Sequence, residues 1–387
     1  MVRVGLNAAA LGVPLTGIGN YTFYLGRALA GNRDVEVYWF DGASWRRKPP
    51  TVAATSPAAR WRQRIRNAVK PWIPFARPLR QAFQQTRFDA GLRRHAIEVY
   101  HEPNYVPFRS EVPVAVTIHD LSWLEYADTH PLERVRWLEK AMPRVVADAA
   151  AVIVDSDFTR KALLAAFVCK PERVHAIHLG VAPHFRPRSP AQTAASLDRL
   201  GLRHGNYVLT VGTIEPRKNI GHAVAAHAAL PAALRSRYPL VVAGARGWLG
   251  ASLEHQLRAR DAAHELRFLG HVDDEVLAAL YSGAALFVFP SLYEGFGLPP
   301  LEAMASGVPA VVSNRASLPE IAGDAACLLD PDLPDKTTSL LGSLLDDEGA
   351  RAELAMRGLR RAALFTWDEC AARTLAVYRA LLHERPA

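Results

Sequence analysis

Ala285-Leu-Phe-Val-Phe-Pro-Ser-Leu-Tyr-Glu-Gly-Phe-Gly-Leu-Pro-Pro-Leu-Glu302 runs from an apolar stretch through a glycine-bearing loop to a pair of prolines. Ala285–Phe289 is short and wholly apolar, which fits a strand buried on both faces. Pro299 and Pro300 open a helix at no loss, because N–H groups of a first turn have no helical partner. That helix is expected to run to about Ser306, with Glu302 in its first turn. Gly307 stands where a left-handed terminating glycine belongs, and Ala310–Val312 starts the next apolar run. Strand, helix and strand in succession form a βαβ unit, which commits the sheet to parallel pairing.

The same alternation continues on both sides. Upstream, Tyr207–Gly212, Leu240–Ala243 and Leu266–Leu269 are predicted strands, with helices near Asn219 and over Asp273–Ser282. In the first half, Val2–Leu6, Val35–Phe40, Val99–Tyr100, Val114–Ile118 and Ala151–Val154 are predicted strands. A glycine-bearing loop, Gly12 to Gly19, precedes a helix from about Asn20 to Ala30. Asp155-Ser156-Asp157 is placed to cap a helix running to about Ala166. Pro183-His-Phe-Arg-Pro-Arg-Ser-Pro190 holds three prolines in eight residues and reads as a linker. Ala371, Leu375, Tyr378, Leu381 and Leu382 recur at helical spacing between Trp367 and His383. The expected fold is α/β, two doubly wound Rossmann-like domains facing a central cleft. They span residues 1–185 and 186–365, and residues 366–387 form a helix packing back across the junction. Ligands of such sheets bind outside the carboxyl ends of the strands.

Composition narrows the function classes. The 387 residues are half hydrophobic and 22% charged, an ordinary globular balance that excludes disordered and repeat architectures. Cys169, Cys327 and Cys370 are far apart, so neither a disulfide framework nor a zinc knuckle is expected, and a reducing compartment is. The N-terminus enters an apolar run directly, without the pattern of a signal peptide. No apolar run reaches the roughly 18–20 residues of a membrane span. The expected location is cytoplasmic, soluble or peripheral on the inner face of the plasma membrane. A net charge of +8 and a pI near 9.5 favour anionic partners: nucleotides, acidic lipid or nucleic acid.

Two segments carry chemistry. In Thr210-Val-Gly-Thr-Ile-Glu-Pro-Arg-Lys-Asn219 a strand ends at Gly212, and Arg217 and Lys218 follow just before a helix. Cations beside a helix N-terminus at a sheet's carboxyl edge suit a diphosphate; taken alone, the pair also fits a solvated surface. In the segment that opened this section, glycines permit close backbone approach to a ligand. Glu294 and Glu302, eight positions apart, leave one carboxylate for a sugar and one for ribose hydroxyls. Alone, Glu302 would equally be a favourable partner of the helix dipole.

Glu294–Glu302 with Glu215-Pro-Arg-Lys-Asn219 upstream resembles the glycosyltransferase family 4 enzymes of GT-B fold. The resemblance extends to Gly17-Ile-Gly-Asn-Tyr21, Val116-Thr-Ile-His-Asp120, Val152-Ile-Val-Asp-Ser156 and Phe268-Leu-Gly-His-Val272. It implies an acceptor-binding N-terminal domain and a C-terminal domain holding a nucleotide-sugar donor. Arg217 and Lys218 would neutralise the leaving diphosphate, and Glu294 would hold donor-sugar hydroxyls. Gly295, Phe296, Gly297 and Leu298 would lend backbone N–H groups, Glu302 would bind the ribose, and Gly270, His271 and Val272 would meet the base. Gly17 and Gly19 would line the opposite wall, and His119 would contact the sugar near its anomeric centre. His101 is an even choice between a site and a structural residue. No metal and no cofactor are expected; Asp330-Pro-Asp332 reads as a turn. Anomeric bond cleavage builds negative charge on the diphosphate, which fixed cations stabilise by roughly 3–4 kcal/mol per well-placed donor. Double displacement needs a second carboxylate about 5 Å away. Only Glu294 is an obvious candidate, so same-face substitution with retention is expected, the diphosphate taking the acceptor proton.

Residues 57–95 stand apart. Arg60, Arg62, Arg64, Arg66, Lys70, Arg77, Arg80, Arg87, Arg93 and Arg94 face one acid, Asp89, and Trp61, Ile65, Ala68 and Trp72 form an apolar stripe. An interfacial helix on an anionic membrane and an inward-packed helix are equally good readings. The expected partners are a nucleotide-sugar donor, GDP-mannose first, and a glycan or lipid-linked glycan acceptor of surface polysaccharide assembly. UDP-glucose-type donors stay open. Glycogen-synthase-like chemistry is disfavoured by the short chain, and nucleic-acid binding by the confinement of basic residues to one segment.

Overall fold

The computed structural model describes residues 1–12, 17–50, 76–245, 257 and 265–383. Among these, strands assemble into two sheets. The first contains β1 (Val2–Asn7), β2 (Val35–Phe40), β3 (Trp45–Arg46), β4 (Val99–Glu102), β5 (Val114–Ile118), β6 (Ala151–Val154) and β7 (Val174–Ala176). Its order is β3-β2-β1-β4-β5-β6-β7, all parallel except the β2–β3 pair. The second contains β8 (Val208–Val211), β9 (Leu240–Ala243), β10 (Leu266–Gly270), β11 (Leu286–Phe289), β12 (Ala310–Ser313) and β13 (Cys327–Leu329). It is parallel throughout, in the order β10-β9-β8-β11-β12-β13. Chain order reverses between β1 and β4 in one sheet and between β8 and β11 in the other. Those two crevices are where such sheets take ligands.

Central strands are buried on both faces, as in β6 (Ala-Val-Ile-Val) and β11 (Leu-Phe-Val-Phe), which is why they read as continuous apolar runs. The strands β3, β7 and β13 were not anticipated. They hold two or three residues at sheet edges, too few for any periodicity to register. Three boundaries also move. The first helix spans Gly17–Gly31 rather than starting near Asn20. Pro190 leaves the linker to become the first residue of the helix Pro190–Asp198, because Ser189 and Gln192 cap each other's amides there. The helix after β11 begins at Leu298, so Glu302 sits in its second turn and not its first.

The terminal helix, Trp367–His383, lies on the first sheet and its opening helix, not on the domain that precedes it. Trp367 stacks on Tyr24 at 5.5 Å, and Arg379 pairs with Asp34 at 2.6 Å. The chain reaches it past Gly180, where a Cβ would lie 2.2 Å from the Trp367 nitrogen. His101 is part of this docking. It is fully buried, with Nδ1 2.5 Å from the Tyr378 hydroxyl and Nε2 2.7 Å from Thr117 Oγ1. Burial pushes its pKa down to about 3, so the ring stays neutral. That structural reading displaces a role in the site.

Of the basic segment, residues 57–75 lie outside the described residues, including Trp61, Ile65, Ala68 and Trp72. The rest forms the helix Ala76–Arg94, which turns Phe88 and Leu92 inward against Phe40 and Tyr100. Arg80, Arg87, Arg93 and Arg94 remain exposed.

Tyr378→Phe should leave the buried His101 Nδ1 without its partner. The expected cost is about 1–3 kcal/mol, read as a lowered melting temperature.

Candidate active site

The loops after β8 and β11 flank the second crevice and are tied to each other. The Leu292 amide donates to the Arg217 carbonyl at 2.8 Å. Pro216–Lys218 makes one tight turn, and Asn219 adopts a left-handed conformation (φ 51°) before the helix Ile220–Ala228. This turn aims Arg217 and Lys218 at the loop opposite. Lys218 Nζ lies 2.6 Å from Glu294 Oε1, which also accepts from Ser291 Oγ at 2.7 Å. Arg217 Nη1 reaches Glu294 Oε2 at 3.3 Å and the Tyr293 carbonyl, while Nη2 holds Glu215 at 2.6 Å.

Both Arg217 and Glu294 are only 8% exposed, so their charges must be answered locally. Burial alone would raise the Glu294 pKa, but Lys218 and Arg217 overcome it and hold the carboxyl below its ordinary value. Burial likewise opposes the charge on Arg217, yet Glu294, Asp120 and Glu215 raise its pKa further. Asp120 belongs to the other domain. Its Oδ1 accepts from Tyr105 OH, the Ser122 amide and Ser122 Oγ at 2.9–3.1 Å. Burial pushes its pKa up, but Arg217 and these donors win and hold it low.

Gly295 and Gly297 are glycines for specific reasons. A Cβ on Gly295 would lie 1.8 Å from the His119 carbonyl oxygen and 2.8 Å from Asp120 Cβ. Gly297 has φ 116°, a conformation that favours glycine. The Phe296 side chain is buried, packing against Phe365 and His178. Leu298 starts the helix that carries Glu302. Glu302 Oε2 accepts from Tyr281 OH at 3.0 Å, and burial, with Asp274 adding, pushes its pKa up to about 7. Gly270, His271 and Val272 stand at and beyond the end of β10, two strands from β8 on the same sheet edge. Gly17 and Gly19 occupy the first turn of the opening helix; Gly17 has open space around its Cα and Gly19 is buried.

His119 is hydrogen-bonded at both ring nitrogens. Its Nε2 donates to the Pro103 carbonyl at 2.8 Å, and its Nδ1 lies 2.7 Å from Asp155 Oδ2. Burial favours the neutral ring, but Asp155 and the Pro103 carbonyl raise the pKa, consistent with two acceptor partners. Both ring nitrogens are thus engaged within the first domain, and it is the backbone of His119 that meets Gly295. Asp120, Asp155, Ser156 and Ser291 lie against these residues and are not among those expected from the sequence. Asp120 and Asp155 each follow a predicted strand, the position from which a side chain reaches a sheet's carboxyl edge. Asp330 and Asp332 form a turn bridged by Arg315, at 3.3 and 2.5 Å.

Two facing parallel-sheet domains with a cation–carboxylate cluster at a sheet crossover define a sugar-nucleotide-transferase type of architecture, and comparison with known proteins agrees. Residues 15–185 match the family described as Glycosyltransferase Family 4, and residues 198–361 match Glycosyl transferases group 1. The chain is 37% identical over 370 residues to O-antigen chain mannosyltransferase B of Escherichia coli, covering 95% of this chain and 97% of that one. It is 31% identical over 291 residues to the MMP alpha-(1->4)-mannosyltransferase of Mycolicibacterium hassiacum, 69% of this chain and 65% of that one. Among solved structures, sucrose-phosphate synthase from Thermosynechococcus elongatus superposes with a TM-score of 0.76 at 22% identity, covering all of both chains. WaaG, a glycosyltransferase involved in lipopolysaccharide biosynthesis, does so at 0.69 and 17%, covering 96% of this chain and 99% of that one. The chain belongs to glycosyltransferase family 4, and its fold is GT-B.

Lys218→Met removes one of two cations at the centre of the cluster. Turnover should fall by roughly 10²–10³-fold, measured as initial rates of sugar transfer, with the fold retained by circular dichroism.

Proposed function

We propose that this chain is a retaining mannosyltransferase. It would move mannose from a nucleotide diphosphate sugar, GDP-mannose first, to a glycan or lipid-linked glycan in O-antigen assembly. The observation that carries the reading is the placement of Arg217 and Lys218 on Glu294 at the crossover of the second sheet. Likeness to the E. coli O-antigen mannosyltransferase over nearly the whole chain supports the sugar. GDP is the nucleotide proposed here by likeness to mannosyltransferases. Anabaena HepE, a solved GT-B neighbour at 17% identity, is in complex with UDP-glucose and carries only the fold.

In this reading the diphosphate enters beside Arg217 and Lys218, exchanging part of their attachment to Glu294. The developing negative charge is met by cations already in place, so little reorganisation is needed as the anomeric bond breaks. Glu294 is a poor nucleophile: its oxygens are engaged by Lys218, Arg217 and Ser291. It serves as the ligand of donor-sugar hydroxyls, which favours same-face transfer. Glu302 takes the ribose, and Gly270–Val272 the base. His119 holds the end of β5 beside Gly295; contact of its ring with the donor sugar requires Nε2 to leave the Pro103 carbonyl. The first domain supplies the acceptor wall with Gly17 and Gly19. No helix among the described residues is long and apolar enough to cross a membrane. The arginines exposed on Ala76–Arg94 support anchoring of residues 57–95 at an anionic surface.

A thermal-shift panel of GDP, UDP, dTDP and ADP tests the donor. At 100 times its dissociation constant a ligand stabilises by about 2.7 kcal/mol, and GDP should do so. No shift with any of the four removes the donor reading, and a shift with UDP alone reassigns the base. Transfer from GDP-mannose should give an axial product anomer by NMR. Glu302, protonated below about 7, accepts ribose hydroxyls better once ionised. The donor KM should therefore fall as pH rises through 7, and Glu302→Gln should flatten that dependence. Co-sedimentation with phosphatidylglycerol vesicles should be lost at high salt, where the Debye length shortens to about 3 Å at 1 M. Indifference to lipid charge and salt would sink the membrane anchor.

A further inference from the structure

Glu294 is held from two sides of the cleft. Its carboxylate is gripped by its own domain, through Arg217 and Lys218. Its neighbours along the chain are gripped by the other. The Gly295 carbonyl accepts from Ser156 Oγ at 2.6 Å and from Thr159 Oγ1 at 3.2 Å. The Tyr293 ring packs against Phe158 and Tyr126, at 5.5 and 5.6 Å. Ser156, Phe158 and Thr159 all belong to the N-terminal turn of one helix, Asp157–Ala166, with Ser156 as its cap. Whatever seats that turn against the second domain also sets the backbone on both sides of Glu294.

Beside those loop contacts, one side chain of the second domain binds the backbone of the turn itself. Glu320 Oε1 accepts from the Asp157 amide at 2.9 Å, and Oε2 from the Phe158 amide at 3.0 Å. These are charge-assisted bonds to the positive end of a helix, in the favourable sense of its dipole. His178 Nε2, just after β7 in the first domain, lies 2.7 Å from the same carboxylate. Glu320 is itself rigidly mounted. Arg361 donates to the Glu320 and Ile321 carbonyls at 2.6 and 2.9 Å. Three residues earlier, Ser317 Oγ lies 2.8 and 2.7 Å from the Glu294 and Phe296 carbonyls. The segment 317–321 therefore holds the donor loop with one residue and the opposite domain with another.

We propose that Glu320 is a positioning residue, a latch across the cleft that makes the placement of Glu294 conditional on closure. When the domains part, the Asp157 and Phe158 amides leave Glu320, and the Gly295 carbonyl loses Ser156 and Thr159. Glu294 then keeps its cations and the Ser317 contacts of its own domain, but loses the cross-domain contacts on the Gly295 carbonyl and the Tyr293 ring. Closing restores both together, so transfer is confined to the state in which the first domain's acceptor wall is present. The inference rests on reading Glu294 as the donor-sugar ligand.

The full chain carrying Glu320→Ala, and separately Glu320→Gln, tests this against the unaltered protein. Glu320→Ala should lower kcat on the order of 10- to 100-fold, as expected for misplaced reacting groups. Its GDP dissociation constant should stay within about two-fold, because the loss lies outside uniform ground-state binding. Small-angle scattering with GDP present should give a larger radius of gyration than the unaltered chain. Glu320→Gln keeps a carbonyl acceptor and should lose less. Unchanged kcat in Glu320→Ala overturns the latch. So does a loss of GDP affinity and melting temperature in step with kcat, which marks a merely structural residue. If the unaltered chain binds no nucleoside diphosphate, the donor reading fails separately; an unchanged radius of gyration in Glu320→Ala then overturns the latch on its own account.

Discussion

Burying a carboxylate is costly unless opposite charge and hydrogen bonds accompany it, and Glu294 is buried at the centre of this molecule. Lys218, Arg217 and Ser291 meet its oxygens, and Glu215 and Asp120 in turn balance Arg217. Much of the surrounding architecture follows from assembling that cluster. Arg217 must come from the loop after β8 and Glu294 from the loop after β11, so these strands must be neighbours despite their distance in sequence. They are, at the one place where strand order in the second sheet reverses. The cluster also sets the electrostatic character of the cleft. Two cations lie close together in a mostly buried setting, their charges oriented by Glu294 and Glu215.

The same cluster binds the two domains to one another. Asp120 reaches Arg217 from the first sheet, and the backbone on either side of Glu294 is held by residues at the end of β6 and the helix that follows. Gly295 shows how close this approach is, since its Cα hydrogen faces the His119 carbonyl with no room for a methyl group. The terminal helix is a third tie. It leaves the second domain and lies on the first, where Tyr378 meets His101 deep in the core. Residues of both domains thus hold the loop that carries Glu294.

Much of this was legible in residue order. Central strands of parallel sheets are covered on both sides and stand out as unbroken apolar runs, so β2, β5, β6 and β9 fall at their expected residues. Edge strands of two or three residues leave no such mark. The glutamates, Arg217 and Lys218 stood out because their residue types are unusual beside glycines and prolines. Asp120, Ser156 and Glu320 did not. Each is an ordinary polar residue near a strand end or helix, and its importance lies in what faces it across the cleft. His119 shows what residue order leaves out: a histidine at a strand end invites a ligand contact, and only the fold shows Asp155 and the Pro103 carbonyl at its two nitrogens.

By itself the sequence determined the alternation of strands and helices, the division into two parallel-sheet units and the pairing of a basic loop with a glycine-bearing acidic loop. These are properties of periodicity, backbone preference and residue type, all local along the chain. Tertiary structure alone decided which charges meet, that Glu302 titrates near neutral pH, that His101 docks a helix, and that Glu320 grips the opposite domain. Each of those depends on burial and on partners far away in sequence. Desolvation and Coulomb interaction act through space, and a linear order of residues does not specify the distances on which they depend.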